Sequence, residues 1–227
     1  MRLCQGAKSV LELGSGYGRL SCALAATNRA LWGLELEPSL LELGRQSVAE
    51  LPARQRRSVT LVQGDMRAFA LPRRFERVLL PYNALFCLRS RRDVERCLGA
   101  VRAALQPGGL FAFDVWNADR AHLEGLSPER DDGEFLRFDH GGRTWRAFER
   151  CRRGRAPQRL DVTYTYVPSG SARARSQVLC QRYYRSAELF ELLGDCGFSL
   201  HGKLGSFAGG RFSERAPRLI VTAKVRP

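Results

Sequence analysis

The sequence predicts an α/β fold, a mostly parallel sheet with helices on both faces and an antiparallel β insert late in the chain. Three observations predict it. Short apolar runs alternate with amphipathic segments through the first half, the pattern of βαβ units. Gly14, Gly16 and Gly18 stand at alternate positions between an apolar run and a helical segment, the punctuation of a ligand-binding strand–turn–helix. From about residue 131 to 184, arginine alternates with aromatic and aliphatic residues between glycine and proline turns. That reads as antiparallel strands with one wet face.

Taken in order, residues 9–13 (Ser-Val-Leu-Glu-Leu) form a buried strand, and a helix follows the glycines over about 19–27. Residues 31–35 are a second strand. Pro38 suits a first helical turn, and Leu40, Leu41, Gly44, Val48 and Leu51 share one face of that helix. Residues 59–63 and 77–80 are the third and fourth strands. Val94, Cys97, Leu98, Val101, Ala104 and Leu105 recur at helical spacing until Pro107-Gly108-Gly109 stops the helix. Residues 110–115 are the fifth strand. The insert has expected strands at 134–139, 143–151, 160–167 and 177–184, with turns at 140–142, 154–157 and 168–170. Ser186 is expected to cap a helix through Leu193, and 198–204 and 219–223 are the last two strands. The expected organisation is a core over 1–118, an insert over 119–185 and a tail over 186–227 that completes the core. The whole is one structural domain, which 227 residues can fill.

Composition excludes several classes. No apolar run approaches the length of a membrane span, and the first residues carry no signal-peptide core, so the expected location is the cytoplasm. Seven cysteines are scattered and never spaced as C-x-x-C, which argues against a disulfide framework and against a metal site. The net charge of +14 raises nucleic acid as a partner. The positive charge is almost all arginine, however, and it is spread along the chain rather than clustered. A small-molecule partner is the stronger expectation.

The glycine spacing is G-x-G-x-G. A dinucleotide fingerprint needs a third glycine where Arg19 stands, and a phosphate loop needs a Gly-Lys-Ser/Thr ending. Two acids accompany the loop. Glu35 ends the second strand, where a carboxylate can accept hydrogen bonds from both hydroxyls of a ribose. Asp65 ends the third, beside Met66, where an acid and an apolar side chain can hold an adenine edge and face. Ligands of open α/β sheets bind at those strand ends.

Glu12-x-Gly14-x-Gly16-x-Gly18, Gly33-Leu34-Glu35, Gly64-Asp65-Met66-Arg67 and Leu105-Gln106-Pro107-Gly108-Gly109 together resemble, in order and spacing, the motifs of class I S-adenosylmethionine-dependent methyltransferases. The resemblance covers about 9–117 and again 184–223. It implies a Rossmann-like seven-stranded sheet, S-adenosylmethionine as cofactor and S-adenosylhomocysteine as product. It further implies that Gly14, Gly16 and Arg19 face the methionine end of the cofactor, with Ser15 and Gly18 also binding the cofactor and Glu12 orienting the loop. Glu35 would bind the ribose and Asp65 with Met66 the adenine, Leu36 would also contact the cofactor, and Leu80 and Pro81 would lie near the sulfonium. Relatives carry a helical segment before the first strand, where this sequence has about eight residues; either it is shortened here or the insert covers the substrate alone.

Leu80-Pro81-Tyr82-Asn83 lacks the leading polar residue of base-methylating relatives, and Asp114-Val115-Trp116-Asn117 with the insert resembles small-molecule methyltransferases. Methyl transfer to N or O of a small acceptor is therefore expected. Asn83, Trp116, Asn117 and Tyr184 are candidate acceptor contacts. His122 and Tyr82 are the candidates for moving a proton. The insert is expected to form a lid or a homodimer surface. Two alternatives stand beside this reading: an RNA methyltransferase, or a protein that binds the cofactor without catalysis.

Overall fold

Seven strands form one sheet in the computed structural model, which describes residues 2–27, 29–124, 129–140, 142–170 and 173–226. The first βαβ units are β1 (Ser9–Leu13), α1 (Arg19–Ala25), β2 (Ala30–Glu35), α2 (Pro38–Ala49), a single turn α3 (Ala53–Arg56), and β3 (Val59–Gln63). The chain then crosses to β4 (Phe75–Leu80), α4 (Arg91–Ala104) and β5 (Leu105–Trp116). A short α5 (Ala118–Leu123) leads to the insert, β6 (Arg130–His140), β7 (Arg143–Arg153), β8 (Arg159–Pro168) and β9 (Arg175–Arg182). The tail is α6 (Ser186–Asp195), β10 (Phe198–Leu204) and β11 (Arg218–Val225). The main sheet runs β10-β11-β5-β4-β1-β2-β3, parallel from β3 through β5, with β10 and β11 antiparallel. The insert is a separate four-stranded antiparallel meander in chain order.

Strand alternation sorts the core into two layers. Leu11 and Leu13 of β1, Val78 and Leu80 of β4, and Phe111 and Phe113 of β5 pack with α4 and α6 on one face. Val10, Leu31, Leu79 and Ala112 face the other way, toward Leu24 and Ala25 of α1. The amphipathic helix read over residues 94–105 is α4, whose Val94, Cys97, Leu98 and Val101 are buried. Its N-terminus is fixed by Ser90, which accepts from the Asp93 N–H at 3.1 Å.

The structure departs from the sequence reading at element ends. Leu105 closes the helix and opens β5, and Pro107-Gly108-Gly109 lies within that strand as an irregularity, with Gly108 at φ +74°. β6 begins at Arg130 rather than 134, and β9 ends at Arg182 rather than at Tyr184. Ser186 does not cap α6. Asp119 of α5, 2% exposed, does so instead: its carboxylate accepts from Ser186 N–H at 3.1 Å and Arg185 Nε at 2.9 Å. That cap comes from 67 positions away, which no local pattern announces. No helix among the described residues is long and apolar enough to cross a membrane.

Candidate functional site

The sheet order reverses between β1 and β4. From β1 the chain builds outward through β2 and β3, then crosses to β4 on the other flank. At such a reversal the loops leaving the two strands part in opposite directions and open a crevice at their carboxyl ends. The glycine loop after β1 and the Pro81-Tyr82-Asn83 loop after β4 form that crevice.

Gly14, Gly16 and Gly18 take φ of +66°, +54° and +79°, a region that residues with a Cβ enter only at a cost. The loop is tied to β2 beyond the last ladder rung. Gly14 and Ser15 N–H donate to Leu34 O at 2.8 and 3.0 Å. Gly16 N–H donates to Glu35 Oε2 at 2.7 Å, and Glu37 N–H to Glu35 Oε1 at 2.9 Å. Each oxygen of the buried Glu35 carboxylate therefore already accepts one bond, and each retains acceptor capacity for a ligand hydroxyl. Gly33 lets the loop lie this low, since a Cβ there would meet Ser15 Cβ at 2.8 Å. Ser15 Oγ is buried without a hydrogen-bond partner, the sort of orphan that a bound polar ligand satisfies.

Behind the loop, Glu12 is 5% exposed and accepts from Ser21 Oγ at 2.6 Å. Burial pushes its carboxyl up to about 7 against the opposing Ser21 hydrogen bonds. Arg19, opening α1, lays its guanidinium 4.2 Å from the ring centroid of Tyr82 across the crevice.

At the end of β3, Asp65 is engaged locally. Its carboxylate receives Arg67 N–H at 2.8 Å and the Arg67 guanidinium at 2.6–3.0 Å. These bonds hold its pKa below the usual carboxylate range. An adenine edge would have to share that carboxylate with Arg67. Met66 packs against the core, and Leu36 is 60% exposed beside Glu35.

Leu80 is wholly buried in the core layer under α4, so its side chain is not in the crevice; Pro81 begins the exposed loop. Tyr82 and Asn83 both take φ +59°, and Tyr82 is 58% exposed. Ala84 follows, its Cβ 3.7 Å from where a Cβ on Gly14 would stand, so the two loops abut.

The candidate acceptor residues divide. Trp116 is half-buried, with its ring 5.6 Å from Phe86 and 5.3 Å from Tyr183. Three others serve the scaffold in place of the expected acceptor contact. Asn83 Oδ1 accepts from Trp116 N–H at 2.7 Å and Arg218 Nη2 at 3.1 Å. Asn117, 4% exposed, caps α5 and donates to the carbonyls of Ser213, Glu214 and Ala216 at 3.3, 2.9 and 2.8 Å. Tyr184, 2% exposed, packs against Phe86 and donates to Leu88 O at 3.2 Å. His122 is exposed on the last turn of α5. Sequence reasoning missed Arg218 and treated Asp114 only as part of a motif; both meet the Tyr82–Asn83 loop from distant strands.

A cavity of about 530 Å3 lies on the α1 face of the sheet, walled by Leu20, Leu24, Leu79, Ala112 and Ile220 and reaching Pro81, Tyr82 and Asp114. That volume suits a small-molecule ligand.

Comparison with known proteins fits this crevice. Residues 10–109, from β1 into β5, match the family model of a methyltransferase domain. The glycopeptide N-methyltransferase MtfA, solved in complex with S-adenosylmethionine, aligns with 27% identity and a TM-score of 0.66, covering 98% of this chain and 89% of that one. The protein is an S-adenosylmethionine-dependent methyltransferase. YqeM of Bacillus subtilis (strain 168), whose name marks it as a candidate methyltransferase, is 25% identical over 95% of this methyltransferase and 83% of its own length. A dTDP-3-amino-3,4,6-trideoxy-alpha-D-glucopyranose N,N-dimethyltransferase of Streptomyces venezuelae is 27% identical over 72% of this methyltransferase and 63% of its own length. The glycine turns, the Glu35 carboxylate and the orphaned Ser15 hydroxyl suit S-adenosylmethionine, the cofactor of this methyltransferase.

Proposed function

We propose that this methyltransferase methylates an amine nitrogen, or failing that an oxygen, of a small-molecule acceptor. The observation that carries the cofactor side is Glu35, held at the end of β2 by the Gly16 and Glu37 N–H groups. In this reading Glu35 receives the ribose hydroxyls and Leu36 lies beside them, while Asp65 and Met66 take the adenine. Gly14, Ser15, Gly16 and Gly18 line the methionine end, Glu12 holds the loop from behind, and Arg19 pairs with the methionyl carboxylate. When bound, the cofactor supplies an electrophilic methyl on a sulfonium. The protein's part is then to exclude water and aim the acceptor. Pro81, Tyr82 and Trp116 frame that approach. An amine presented neutral needs its proton removed only after transfer, and Tyr82 or His122 would pass it to solvent. The acceptor class rests on relatives, two of which are named as N-methyltransferases of amino-sugar and glycopeptide substrates.

RNA is the second reading, favoured by the net charge of +14. The reading also includes a cytoplasmic protein, consistent with there being no disulfide among the described residues, and a homodimer formed through the insert. Calorimetric titration with S-adenosylhomocysteine, with NADH as control, tests the cofactor site. Micromolar binding is expected, at least tenfold weaker in Glu35→Ala, with NADH silent; equal binding by the variant would sink the ribose assignment. Methyl release is then followed on a panel of amino sugars, other small amines and alcohols, and RNA. Incorporation into RNA alone would replace the small-molecule reading, and binding without turnover on any acceptor would leave a cofactor-binding protein.

A further inference from the structure

Tyr82 and Asn83 are consecutive non-glycine residues in the left-handed region, each at φ +59°. Such residues cost on the order of 1 kcal/mol apiece and persist only where surroundings over-determine them. Here the surroundings are identifiable. Tyr82 N–H donates to Asp114 Oδ1 at 2.9 Å, and Asn83 N–H to Asp114 O at 3.1 Å. Asn83 Oδ1 accepts from Trp116 N–H at 2.7 Å. Arg218, from β11, closes the arrangement: its Nη2 donates both to Asn83 Oδ1, at 3.1 Å, and to the buried Asp114 Oδ2.

Arg218 is itself held at some cost. Its Nε is buried without a hydrogen-bond partner, and the guanidinium lies 5.2 Å from the Phe207 ring centroid. A strained turn and an orphaned donor at one point are features that packing alone would select against. What they maintain is the position of the loop after β4, which sets Tyr82 over Arg19 and Ala84 against Gly14.

We propose that Arg218 is a positioning residue for methyl transfer, acting through Asn83 and Asp114 to fix the Tyr82–Asn83 turn against the glycine loop. The inference rests on the cofactor reading above for its functional consequence, and on geometry alone for the clamp. One guanidinium serves two acceptors, one on β5 and one in the loop after β4, because its donors are fixed in a plane. A lysine at 218 would keep the charge beside Asp114 and lose that shared geometry.

The test compares the native protein with Arg218→Met and Arg218→Lys, the lysine variant serving if methionine prevents folding. Amide hydrogen exchange by NMR reports the turn without any acceptor. The amides of Tyr82, Asn83 and Trp116 are expected to exchange at least tenfold faster in Arg218→Met, with those of Val10 to Leu13 within threefold of native. Arg218→Lys should fall between. Affinity for S-adenosylhomocysteine, measured by calorimetry, is expected to fall at least fivefold. Unchanged exchange at the three amides, equal acceleration throughout β1, or undiminished affinity alongside a loosened turn would each overturn the proposal. If the native protein binds no S-adenosylhomocysteine, the cofactor reading fails, and the exchange pattern alone decides the clamp.

Discussion

Glu12 lies beneath the glycine loop, and its titration should be visible in stability. Burial raises its carboxyl from 4.5 to about 7 in the folded protein, so the folded state binds this proton more tightly than the unfolded chain. The associated stabilisation is present below the unfolded pKa and is lost as pH rises from about 4.5 through about 7. It amounts to roughly 3 kcal/mol over the whole interval. Glu12→Gln removes the titration while keeping an oxygen for Ser21. Its stability relative to the native protein should therefore climb by about 1–3 kcal/mol between pH 5 and pH 8, measured by urea unfolding at both. A difference that stays constant with pH would show that Glu12 does not carry this proton. At the same scale, the positions of Glu35 and the three loop glycines were legible in the sequence, because the glycines follow the first strand directly and the acid closes the second. The engagement of Asp65 by Arg67 was not, since residue type and spacing leave the side-chain partner open.

Among the elements, α5 shows how much short helices depend on distant partners. With only six residues it has little intrinsic stability, and Asn117 holds it. The Asn117 side chain caps the helix and pins three carbonyls of the segment before β11. Asn117→Ala is expected to cost about 1–3 kcal/mol, adding a lost cap to the lost tie between α5 and the segment before β11. Affinity for S-adenosylhomocysteine should stay within twofold; a tenfold loss there, with stability retained, would return Asn117 to the ligand site. The long elements were read correctly because each has enough residues for its period to show. α3, α5 and the ends of β6 and β9 were not, because one or two turns carry too few apolar positions to register and ends are set by tertiary caps.

At the scale of the whole molecule, the insert presents two edge strands, β6 and β9. Exposed edges template association unless they are blunted, and these carry Phe135, Leu136 and Val178, each about half exposed. The proposed homodimer would cover such an edge. Sedimentation is expected to give a dimer mass for the native protein and a monomer mass for Leu136→Lys combined with Val178→Lys. A native monomer at micromolar concentration would remove the dimer from the reading.

The sequence by itself determined the parallel core and the antiparallel insert, and it put a glycine turn after the first strand and an acid at or just past the ends of the next two. Those follow from periodicities of two and 3.6 and from the residues that punctuate strand ends. Tertiary structure alone decided the acceptor side. Asn83, Asn117 and Tyr184 are polar residues in the places where a substrate contact is expected, yet partners roughly 100 positions away take up their hydrogen-bonding groups. It also decided the role of Arg218, which the chain places 104 residues from Asp114 and 135 from Asn83. A local pattern carries the cost of forming an element. A buried polar group is instead satisfied by whatever the folded sheet brings within about 3 Å, and only the three-dimensional arrangement names that partner.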